Sequence, residues 1–110
     1  MGAIKMTDDE YNGWTNRETW AVRLHWDNNQ DDYDFIMSEA KKHIERGEPV
    51  YRFADFLKEI AEDIQDTVIN EKSATHEARL FIQDVGSLWR VNWLEIAERY
   101  YDEIAEEEGV

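Results

Sequence analysis

Apolar side chains recur every three or four residues through most of this chain, and short polar passages separate the runs. Tyr33, Ile36, Met37, Ala40 and Ile44 stand at i, i+3, i+4, i+7 and i+11, which places them along one side of a helix with 3.6 residues per turn. The polar run 27–31 breaks the chain ahead of this helix, and Asn29 or Asp31 suits its cap. Acids fill its first turn, and Lys41, Lys42 and Arg46 lie near its end before Gly47, so both ends of the helix dipole are complemented. Pro49 suits the first position of the next helix, over 49–70, whose buried stripe is Phe53, Leu57, Ile60, Ala61, Ile64 and Val68. A fourth helix over 74–85 turns Ala78, Phe81, Ile82 and Val85 inward and Arg79 outward, and Gly86 ends it. After a link over 87–91, Asn92 with Glu95 forms a capping box. The helix that follows buries Trp93, Ile96, Ala97, Tyr100 and Ile104, and Glu106, Glu107 and Glu108 oppose its C-terminal dipole, so that end should fray.

The first element needs a choice. Trp20, Val22, Leu24 and Trp26 alternate as a strand does, yet no other segment has the β-branched alternation needed to pair with it. A helix over 15–28 is therefore predicted, apolar on two sides and hence sandwiched by neighbours. Asn12-Gly13 is a turn dipeptide ahead of it, and Thr15 with Glu18 is read as its capping box. The fold expected is all-α, a compact single-domain bundle of about five helices over 11–106. Residues 1–10, ending in three acids, form a loose arm, and 107–110 an acidic frayed tail.

Two blocks carry a resemblance. Residues 11–20, YNGWTNRETW, and residues 91–98, VNWLEIAE, resemble the opening and closing segments of a family of small, largely uncharacterised proteins of phages, plasmids and archaea. The likeness covers both ends of the domain and leaves the middle unmatched. It implies a mobile-element or viral setting and an accessory role against host systems, and it supplies no catalytic residue.

Charge changes the picture most. Twenty-six acidic residues against twelve basic give a formal charge of −14, which opposes direct contact with a nucleic acid and favours a basic protein surface as partner. The basic residues are few and dispersed, Lys41, Lys42 and Arg46 forming the one small patch. Cysteine is absent, which excludes disulfides and thiolate metal sites. No apolar run follows the N-terminal residues and no stretch approaches the roughly 18 apolar residues of a membrane span. A soluble cytoplasmic protein without a cofactor is expected.

The candidate chemistry lies in the carboxylates. On the helix over 49–70, Asp55, Glu59, Glu62 and Asp66 fall opposite the apolar stripe at spacings of four, three and four. The last helix repeats the device with Glu95, Glu98, Asp102 and Glu106 at three, four and four, and only Lys58 and Arg99 interrupt the two rows. Successive acids stand roughly 5 to 6 Å apart along each row, so two rows side by side approach one charge per roughly 3 Å, against about 1.7 Å along duplex DNA. Such rows fit a mimic of the nucleic-acid backbone, aimed at a DNA-handling or defence protein. They equally fit a face that serves only solubility or salt adaptation. Like charges at i, i+4 cost a few tenths of a kcal/mol per pair, and solubility alone is served as well by alternating Glu with Lys.

Other chemistries have thinner signals. Glu59-x-x-Glu62 and Glu95-x-x-Glu98 resemble loosely the paired carboxylates of helical Mg²⁺-dependent nucleotide pyrophosphohydrolases, but a chain this acidic yields such spacings by chance. His25, His43 and His76 are scattered, without a zinc-binding spacing, and read as surface or helix-end residues. Of five tryptophans, Trp20, Trp26 and Trp93 sit at core positions, whereas Trp14 and Trp89 lie in turns and are candidates for aromatic contact with a partner. Dimerisation through an apolar helix face is a further reading.

Overall fold

A computed structural model of the chain describes residues 11–71 and 73–108. The expected N-terminal arm and the last two residues of the expected tail lie outside them. Among the described residues stand α1 (Arg17–Asn28), α2 (Gln30–Glu45), α3 (Val50–Asn70), α4 (His76–Val85) and α5 (Trp93–Glu107), with a 3₁₀ turn at Leu88–Arg90. The segment read as ambiguous is helical, and the only β pairing described is a single bridge between Tyr11 and Trp14. The chain is an all-α single domain.

α3 and α5 are the central pair and pack on each other more extensively than any other two elements. Phe53 and Leu57 of α3 and Ile96, Tyr100 and Ile104 of α5 are buried almost completely, each stripe facing the other helices. Burial of side chains this large contributes about 1.5–3 kcal/mol each. The pair runs antiparallel: Phe53, near the start of α3, stacks on Tyr101, near the end of α5, at 5.6 Å between ring centroids. Glu62 and Gln65, further along α3, share a groove with Trp93 at the start of α5. α2 packs on α5 and α1, and α4 closes the core against α1 and α3.

Several local expectations are corrected. The cap of α1 is Asn16, not Thr15. Asn16 Oδ1 accepts from the Thr19 amide at 2.9 Å while its Nδ2 donates to the Arg90 carbonyl at 2.8 Å, a double role that a hydroxyl one residue earlier cannot fill. α4 starts at His76, capped by Thr75, and Pro49 occupies the cap position ahead of α3. Leu24 is exposed, so α1 is not apolar-packed on both sides. Ile44 is also exposed and His43 is buried in the face expected for it. His43 Nδ1 donates to the Glu39 carbonyl at 2.8 Å, and the ring lies against Phe53 and Phe56. It is a core residue, not a surface one. α5 runs through Glu107, whose carboxylate meets Lys41 at 3.0 Å; this pairing relieves charge at an end expected to fray earlier.

Candidate functional site

The segment 11–20 and the start of α5 are built into each other. Asn12 and Gly13 both have positive φ, 50° and 87°, the backbone of a tight two-residue turn that glycine adopts without strain. The Tyr11 and Trp14 amides and carbonyls bond reciprocally at 2.8 Å, which brings the chain round into Thr15. The Thr15 amide donates to Glu95 Oε1 at 3.1 Å, and the Asn92 amide donates to Thr19 Oγ1 at 2.9 Å. Asn92 Oδ1 caps α5 by accepting from the Glu95 amide at 3.0 Å. Arg17 reaches the carbonyls of Asp84 and Val85 at 2.7 and 3.0 Å and so caps the C-terminal end of α4.

Trp14 is half-buried and held by cations. The Arg99 guanidinium stacks on its ring at 3.9 Å and also donates to the Gly13 carbonyl and to Glu95. Arg23, buried in α1, lies 5.6 Å from the same ring and 3.9 Å from that of Tyr100, and pairs with Asp27 and Glu103. Burial alone would lower the Arg23 pKa, but Tyr100, Glu103 and Asp27 outweigh it and raise it. Burial pushes the Tyr100 hydroxyl well above the ordinary phenol range, and its bond to Asp27 at 3.1 Å adds to the shift. Every strong polar contact here joins parts of the fold.

The carboxylate rows are arranged otherwise. Asp55, Glu59, Glu62 and Asp66 on α3 and Glu98, Asp102 and Glu106 on α5 are all exposed, and no ion pair among the described residues reaches any of them. Glu95 is the exception, only half-exposed and engaged by Thr15 and Arg99; it belongs to the junction. Each row lies on the exposed side of its own helix, away from that helix's buried stripe. Along each row successive carboxylates stand roughly 5 to 6 Å apart, and the antiparallel register, set by Phe53 on Tyr101 and by Glu62 beside Trp93, brings the two rows level only near Asp55 and Glu98. Lys58 stands exposed among the acids of α3, while several other surface cations are paired away from the rows: Lys41 with Glu107, Lys42 with Glu39, Arg46 with Glu48 and Arg90 with Glu18.

A family model matches residues 7–108 of this domain. The chain belongs to a family of unknown function, DUF7249. Neither a curated protein nor a solved structure matches it.

Two further surface features of this DUF7249 member bear on chemistry. Trp89 is 81% exposed and stands over a groove beside Glu62. A second groove, of about 470 Å³ over Trp26 and Phe81, is rimmed by Asp32, Glu77 and His25, and His25 Nε2 meets Asp84 at 2.8 Å. Partial burial, then the nearby charges of Glu77 and Asp31, raise the Asp32 pKa. Among the described residues no three His, Asp or Glu side chains gather so as to hold a metal ion, and no helix is long and apolar enough to cross a membrane.

Proposed function

We propose that this protein is an acidic protein-binding module, a cytoplasmic accessory factor of a mobile element that stands in for a nucleic-acid backbone toward a basic DNA-handling or defence protein. The observation that carries the reading is the exposed carboxylate rows of α3 and α5: Asp55, Glu59, Glu62, Asp66, Glu98, Asp102 and Glu106 lie on one pair of packed helices without an ion pair among the described residues. Like charges so placed are mildly destabilising. A cationic groove that neutralised several of them would gain affinity by charge complementarity, in a binding that falls steeply with salt. Fixed negative charges on a rigid helix pair present themselves without the ordering cost of flexible acidic tails. Solubility does not require so many like charges to recur at i, i+3 and i+4 without ion pairs.

The test uses the whole protein and the variant Asp55→Lys, Glu59→Lys, Glu62→Lys, immobilised side by side in host lysate at low and high salt. The wild type is expected to retain a basic DNA-handling protein at low salt only, and soluble duplex DNA should displace it. Equal retention by the folded variant, or retention indifferent to competing DNA, overturns the reading.

A further inference from the structure

Trp89 is the most exposed large hydrophobic side chain described, and its place explains how it stays so. Leu88 and Val91 on either side are buried at 8% and 6% exposure, and the Val91 amide closes the 3₁₀ turn on the Leu88 carbonyl at 3.1 Å. The backbone is thus anchored while the indole is held out. Together with Lys58, Glu62 and Gln65 of α3, Trp89 walls a groove of about 470 Å³ floored by Leu88 and Trp93. One side chain of the carboxylate face, Glu62, therefore also lines the groove.

From this juxtaposition we infer that the groove receives an arginine side chain of the basic partner, its guanidinium stacked on Trp89 and paired with Glu62. The inference rests on the acid-face reading and names what that partner presents. A wholly apolar side chain would leave Lys58, Glu62 and Gln65 facing a dry contact, and burying charged groups is costly unless they are well paired and hydrogen-bonded. A lysine ammonium is compact and strongly hydrated, whereas a guanidinium is planar, weakly hydrated and able to stack on an indole while bonding a carboxylate in its own plane. The ring already has a cation at the outer limit of such contact, Arg90 at 5.9 Å from its centroid. Tryptophan and arginine are also the residue types that most often dominate interface energetics.

The experiment titrates the full chain with two capped hexapeptides of equal charge, one with four arginines and one with four lysines, and follows the Trp89 indole N–H by NMR, assigned with Trp89→Phe. The arginine peptide should shift that resonance and bind at least threefold more tightly than the lysine peptide. Trp89→Ala, which removes an exposed side chain and should fold normally, should reduce the ratio to about one. Equal binding of both peptides with an unmoved Trp89 signal overturns this inference while leaving the acid-face reading intact. Failure of both peptides to bind at low salt overturns both.

Discussion

The junction between 11–20 and the start of α5 and the outer face of α3 and α5 contain similar residue types put to opposite uses. At the junction nearly every charge is answered: Arg99 by Glu95 and Trp14, Arg23 by Asp27, Glu103 and Tyr100, Arg17 by two carbonyls. On the outer sides of α3 and α5 seven exposed carboxylates have no ion pair among the described residues. The two blocks that carry the family resemblance fall at the first region, and their conspicuous residues act as caps and braces. Glu95 makes the point within a single helix: it stands in line with Glu98 and Asp102, yet it secures the Thr15 amide and Arg99. A motif marks the architecture here, and on the proposed reading the unpaired charge marks the surface offered to a partner.

The comparison breaks most visibly at Arg23. Arg23→Ala leaves Asp27 and Glu103 without their shared cation and empties a stacked site beside Tyr100, and should cost about 3 kcal/mol in urea unfolding; a loss under 1 kcal/mol would show that the junction does not hold the fold. Asn16→Ala should cost about 1–2 kcal/mol, since it removes the α1 cap and the bond to the Arg90 carbonyl. Thr15→Ala, in the same urea unfolding, should cost clearly less, because the Thr15 amide survives the change. The smallest effect is expected on the outer face, where Glu59→Lys should leave stability unchanged or raise it by a few tenths of a kcal/mol at low salt. Marked destabilisation there would mean that the carboxylate has a structural partner after all.

Periodicity made most of this fold legible. All five apolar positions read for the last helix are buried, as are Phe53, Leu57 and Ala61 of α3. It misjudged residues whose environment is set by distant chain. Asn16 prevails as cap because of the Arg90 carbonyl, 74 residues away. His43 replaces Ile44 in the core because its ring can donate to the Glu39 carbonyl and still pack, tilted, against Phe53 and Phe56. Arg23 and Glu95 look like surface charges by spacing, and only Glu103 and Thr15, each 80 residues off, assign them otherwise. The row positions on α3 and α5 were legible because they follow from helix geometry alone; their lack of ion pairs was not.

The tight turn at Asn12-Gly13 has a consequence for the life of the nascent polypeptide. Gly13, Thr15 and Asn16 find their bonding partners 74 to 86 residues downstream, so α1 emerges from the ribosome with its entrance unfastened and must wait for almost the entire chain. Until α5 has been synthesised, Trp14 lacks the Arg99 guanidinium that stacks on its ring, and a translation product cut short before Asn92 would leave it exposed to proteases and chaperones.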